Sequence, residues 1–141
     1  MSRVLIHPAT YETAREAVDR AFELFPLDLE GKRVLIKPNV LRASGAEEGI
    51  VTHPAVLRAV VDKVEGMSPG ELVVGDNPGL FSYGANEESF RQTGLEEAAG
   101  DHYANIGNDA RELPFDPDYM PRVSVSSAVL DAEVIISLPR F

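Results

Sequence analysis

The chain has 141 residues, 44% of them apolar, and its 13 Lys+Arg against 23 Asp+Glu leave a formal charge of -10. That length suits one domain with a single core, and an acidic chain with no basic run longer than Lys32-Arg33 excludes nucleic acid and an anionic membrane surface as partners. No cysteine is present, so disulfides, thiolate-bound zinc and any iron–sulfur cluster held by these residues are excluded; this fits a reducing cytoplasm, and no apolar run is long enough for a signal segment or a membrane span.

Residues 3–6 read as a short opening strand, closed by His7-Pro8, with Thr10 as N-cap of the helix that follows. Ala14, Ala17, Val18, Ala21, Phe22 and Phe25 make one stripe at helical spacing, and Pro26 ends the helix. The apolar run Val34-Leu35-Ile36 predicts a second strand over 33–37, which delivers Lys37-Pro38-Asn39 into a loop over 41–50 whose glycines and glutamates read as mobile. Thr52 caps the next helix, with Pro54 in its first turn and Leu57, Val60, Val61 and Val64 as its buried stripe. The Ser68-Pro69-Gly70 turn leads into a strand over 72–75, completing a βαβ unit with parallel strands. The 37–52 and 75–86 loops then share one edge of the sheet.

Further along, Ala85 or Asn86 caps a short helix that ends at Gly94, with one more turn over 96–99. Strand-like pieces follow at 103–106 and 112–115, then an edge strand at 123–125, a helical turn over 126–131 and a buried strand over 134–138. The fold class is therefore α/β: a mostly parallel sheet with flanking helices, one domain over 1–141. Because the chain stops just past a buried strand, we expect it to be an incomplete domain, the amino-terminal portion of a longer protein.

Three strands thus end in polar residues at what should be one carboxyl edge, the usual site position in such sheets. Lys37 is placed there to meet an anion or a carbonyl oxygen, or else simply to be solvated. Asn39 offers a donor and an acceptor, although Asn after Pro is also a turn former, and Thr52 belongs to the same loop. His53, in the first turn of a helix, feels the positive end of the dipole, which favours a neutral imidazole able to ligate metal or to hydrogen-bond; Thr-His-Pro is also an ordinary helix start. Asp76 suits a metal or a ligand hydroxyl, with an Asx turn in Asp76-Asn77-Pro78-Gly79 as the alternative; Asn77 joins the ligand-binding set, and Arg140 closes the third strand's loop. A divalent metal, if present, falls to His53 and Asp76. His7 and His102 stand alone, and Glu87, Glu88, Glu96 and Glu97 read as solvated helix faces. The Gly75 to Gly84 stretch lacks a Walker ending, and neither a G-x-G-x-x-G motif nor a nucleophile elbow occurs.

Taken in order, Val34-Leu35-Ile36-Lys37-Pro38-Asn39-Val40, Thr52-His53-Pro54, Val74-Gly75-Asp76-Asn77-Pro78-Gly79 and Val134-Ile135-Ile136-Ser137-Leu138-Pro139-Arg140 resemble the amino-terminal half of domain-of-unknown-function family 362, over essentially the whole chain from Arg3 to Phe141. The resemblance implies an α/β domain associated with ferredoxin-like iron–sulfur modules, and a loose kinship with the fold of nickel-dependent lactate racemase. It implies no established reaction. The family's last motif continues with Lys-Thr-His, which this chain does not reach, so an iron–sulfur cluster is expected only if a downstream module exists.

Two functions follow from these readings. In the first, Lys37, Asn39, Thr52, His53, Asp76, Asn77 and Arg140 bind a small anionic or carbonyl-containing ligand, with or without a metal, as part of a redox or iron–sulfur-associated protein; whether it is an enzyme stays open. In the second, the chain is a non-catalytic module that pairs through its terminal strand, as a homodimer or with a partner.

Overall fold

The computed structural model describes residues 3–78 and 85–140. At its centre is β1 (Arg33–Pro38), flanked by β2 (Glu71–Val74) and β5 (Val134–Leu138) in a parallel sheet of order β2-β1-β5. Leu35 sits opposite Val73 on one side and Ile135 on the other. Val34, Leu35 and Ile36 are all buried because the central strand of a parallel sheet has both faces covered, which is why the sequence there runs apolar instead of alternating.

Helix α2 (Pro54–Glu65) makes the crossover between β1 and β2. Its stripe of Leu57, Val60, Val61 and Val64 shares one core with Val34, Ile36, Leu72 and Val74, joined by Phe90 of α3 (Asn86–Thr93) and Leu95 of α4 (Leu95–Ala99). Each such buried aliphatic side chain contributes about 1.5–3 kcal/mol relative to exposure. Helix α1 (Ala14–Leu24) lies against α2: Val18 and Phe22 pack on the core, Arg15 pairs with Asp62, and Lys63 with Asp19 at 2.7 Å. Gly94, at φ 76°, ends α3 in the left-handed conformation that a residue with a Cβ resists. Among the described residues no helix is long and apolar enough to cross a membrane.

Several elements differ from expectation. Residues 3–6 form no strand; both sides of β1 are taken by β2 and β5, so the central strand offers the short run no edge, and Ile6 is 93% exposed. The N-cap of helix α1 is Thr13, three residues later than Thr10, because Thr10 and Thr13 close a turn in which Thr13 N–H donates to the Thr10 carbonyl. His53 replaces Thr52 as cap of α2, since the Thr52 hydroxyl is committed elsewhere. Residues 103–106 make a single bridge, Tyr103 to Val74, in place of a strand. The pieces at 112–115 and 123–125 belong to one antiparallel hairpin, β3 (Ala110–Asp116) with β4 (Met120–Ser126), followed by α5 (Ser127–Asp131). Strand β5 is not fully buried: Val134, Ile136 and Leu138 pack on the core, but Ile135 on the outer face is 47% exposed, because β5 pairs on one side only among the described residues. The 41–50 loop contains a 3-10 turn over Ala46–Glu48, tied by Gly45 N–H to Glu48 Oε1 at 2.9 Å. Gly79, Gly84 and Phe141 lie outside the described residues.

Candidate functional site

The site is assembled by the strand ends. Beyond Val74 the β2 backbone continues its ladder, Gly75 N–H donating to the Ile36 carbonyl at 3.2 Å, while Ala104 N–H donates to the Val74 carbonyl at 3.0 Å from the other side. This second contact leaves no room for a side chain at 75: a Cβ would lie 2.6 Å from Ile106 Cγ2 and 2.7 Å from the Ala104 carbonyl oxygen. The glycine therefore lets the 104–106 segment close against the strand end, and the next residue, Asp76, turns in to the end of β1.

Asp76 is 5% exposed and has two partners. One carboxylate oxygen pairs with the Lys37 ammonium and the other accepts Val40 N–H at 2.8 Å. A buried carboxylate satisfied by a cation and a backbone N–H is stable where an unpaired one would not be. The Lys37 side chain remains 43% exposed, so its ammonium is held in place without being sealed off. Strand alternation puts Lys37 on the Leu35 face, opposite to Ile36 and the helix-covered core.

Asn39 and Thr52 close the loop between β1 and α2. Asn39 N–H donates to Thr52 Oγ1 at 2.8 Å, Thr52 N–H donates back to the Asn39 carbonyl at 3.0 Å, and Asn39 Nδ2 donates to the Ile50 carbonyl at 3.0 Å. The Thr52 hydroxyl in turn donates to the Leu138 carbonyl at the end of β5. Both residues thus fasten the rim, which favours the turn-forming alternative for Asn39.

A third group involves a residue the sequence reading passed over. Tyr11, just before α1, stacks on His53 with ring centroids 3.6 Å apart and planes 8° from parallel, and its hydroxyl accepts from Arg140 Nη1 at 3.0 Å. His53 Nδ1 accepts Ala55 N–H at 3.2 Å as the helix cap, which leaves the proton of a neutral ring on Nε2, 3.7 Å from Glu47 Oε1. Arg140 Nε donates to the Gly49 carbonyl at 2.9 Å, and Gly49, at φ 71°, lets the guanidinium close in: a Cβ there would be 3.1 Å from Nη2. Nothing in the local pattern around Tyr11 marks it, since its partners lie 42 and 129 positions away in the chain.

The rim therefore brings Lys37 to Asp76, Asn39 to Thr52, and His53 to Arg140 through Tyr11. Among the described residues no hydrogen bond or ion pair joins His53 to Asp76, or Arg140 to Lys37. Asn77 is exposed and lies beside Gly107, where a Cβ would come 3.3 Å from its Oδ1. No group of three or more His, Asp or Glu able to hold a metal occurs among the described residues, and His53 and Asp76 each already have partners. A separate cleft of about 290 Å³ opens at the strands' amino ends, where Arg33 and Arg111 both bind Asp131, away from this rim.

No curated protein and no solved structure matches the chain. The family model described as "Domain of unknown function (DUF362)" matches residues 34–141, from Val34 in β1 through the fourth motif, so the opening segment and α1 lie outside the matched span. With more than half of its length covered, and with the strand ends that build the rim all inside the match, the chain belongs to the DUF362 family.

Proposed function

We propose that the carboxyl edge of the β2-β1-β5 sheet binds a small anionic or carbonyl-bearing ligand through Lys37. The observation that supports the reading is the Lys37–Asp76–Val40 arrangement: a buried carboxylate locks a half-exposed ammonium at the end of the central strand, preorganised and still open to solvent. Asn39 and Thr52 hold the neighbouring loop, and Asn77 follows Asp76 on the adjoining one. Arg140 groups with Tyr11 and His53 and is not part of this grip. The proposal is made without a metal, because the two expected ligands are engaged in capping and ion pairing. Its redox side rests on the family resemblance alone; with no cysteine here, a thiolate-held cluster would have to be supplied outside these 141 residues. The proposal extends to a cytoplasmic location, which the absence of cysteine supports.

Calorimetric titration with pyruvate, acetate and inorganic phosphate tests this reading. Saturable binding that weakens about tenfold in Lys37→Met, the loss of one charge-assisted contact, is expected. Binding unchanged by that substitution, or none with any of the three, overturns it.

A second reading, a homodimer paired through β5, is favoured by that strand's pairing on one side only among the described residues and by the exposed Ile135. Light scattering that shows a dimer, lost in Ile135→Lys, would support it; a monomer at high concentration would overturn it.

A further inference from the structure

Beside the start of α1 an open groove of about 470 Å³ is lined by Tyr11, Glu12, Ala14, Val56 and Arg140, a volume within the range of small-molecule sites. Its two charges are of opposite sign, and the cation is fixed from behind. Arg140 is held by the Gly49 carbonyl and the Tyr11 hydroxyl, which use Nε and Nη1 and leave further N–H donors on the guanidinium. Tyr11 is itself fixed by its stack on His53. The Thr10 side chain beside Glu12 holds its carboxyl below the usual range, with its own backbone N–H and the nearby His53 acting in the same direction, so Glu12 stays ionised at neutral pH. Although both line one groove, no ion pair joins Glu12 to Arg140, and Glu12 has none among the described residues. Ala14 and Val56 add aliphatic surface to the same lining.

A fixed cation and an anion that line one groove and do not neutralise one another form a dipolar cradle. A simple anion would meet Glu12 repulsion and a simple amine would meet Arg140. A molecule carrying both charges on a short aliphatic body satisfies each and lays its middle on Ala14 and Val56. We propose that this groove binds an amino-acid-like zwitterion, its carboxylate on Arg140 and its ammonium on Glu12. The site is distinct from Lys37 and does not depend on the ligand read for it. Gly49 belongs to it, because its left-handed turn and missing side chain make the space in which the guanidinium sits.

The test is a titration followed by ¹⁵N–¹H spectra, using glycine, β-alanine, γ-aminobutyrate and ε-aminocaproate, with acetate and methylamine as single-charge controls. At least one zwitterion should shift the amides around Tyr11, Glu12 and Arg140 and bind about five- to tenfold more tightly than either control. Glu12→Gln and Arg140→Gln, both at exposed positions and so expected to fold, should each remove that preference. Acetate shifting the Tyr11, Glu12 and Arg140 amides at concentrations as low as the zwitterions do, an undiminished preference in Glu12→Gln, or no shift in this region with any of the four overturns the proposal; acetate shifts confined to the Lys37 loops do not bear on it. Failure of pyruvate or phosphate to bind at Lys37 would leave it standing, since those probes carry no ammonium.

Discussion

Replacing Lys37 by Met removes the ammonium and keeps most of the side-chain volume, leaving Asp76 with the Val40 N–H as its remaining partner. Breaking a fully buried ion pair costs about 3–5 kcal/mol, whereas exposed pairs contribute about 0–1 kcal/mol. Asp76 is at the buried extreme and Lys37, with 43% of its side chain exposed, is between the two, so water screens part of the interaction. We expect Lys37→Met to cost about 1.5–2.5 kcal/mol, a large share of the roughly 5–15 kcal/mol stability of a domain. Asp76→Asn keeps an oxygen for Val40 N–H but turns an amide donor towards the ammonium, and should cost about 1–2 kcal/mol. Because each single change strands the other partner, the double variant should be more stable than the sum of the two predicts, with a coupling of about 1–2 kcal/mol. Urea unfolding of the four proteins at pH 7, followed by circular dichroism with a common slope, measures it. A coupling below about 0.3 kcal/mol, the ordinary scatter of additivity, would refute the ion pair as an organising element of the rim.

Gly75→Ala should destabilise the chain by about 1–3 kcal/mol through the clash with Ile106 and the Ala104 carbonyl, read as a lower urea midpoint. Burial, reinforced by Glu87 and Glu96, pushes the Tyr103 hydroxyl up to about 12, so the folded chain keeps a proton that the unfolded chain releases near pH 10. That contribution is complete below pH 10 and is lost as pH rises towards 12, and Tyr103→Phe should flatten this part of an alkaline stability profile relative to the parent. Since the buried Tyr103 hydroxyl has no partner among the described residues, Tyr103→Phe should also leave stability at pH 7 equal or higher. His53→Ala should cost about 1.5–3 kcal/mol, the sum of a helix cap and an aromatic stack, with Tyr11→Ala reproducing only the stacking share in the same urea assay.

The parallel sheet was legible because Val34-Leu35-Ile36 is too apolar for a strand with one covered face and because a 12-residue helix with a clean stripe connects β1 to β2; at Val134-Ile135-Ile136 the same composition misleads, since only one face of β5 is covered. Local pattern is weaker where partners are absent: Val4-Leu5-Ile6 has strand composition but no free edge of β1 to join. Thr52 illustrates a different limit. Its sequence context is that of a cap, and only the return of β5, whose Leu138 carbonyl takes the hydroxyl, reassigns that role to His53. The Lys37–Asp76 contact could be foreseen as a shared edge because parallel register brings the ends of neighbouring strands together. Tyr11 could not, as its role arises entirely from long-range contacts across the rim.

The most direct measurement is the response of the Lys37 side-chain ¹⁵Nζ signal, with the backbone amides of 37–40 and 75–77, to added pyruvate. Saturable shifts concentrated at Lys37 and these two loops are expected if the ion-paired ammonium is the ligand grip. Shifts confined to other parts of the chain, or an Nζ signal indifferent to pyruvate at every concentration, would contradict it.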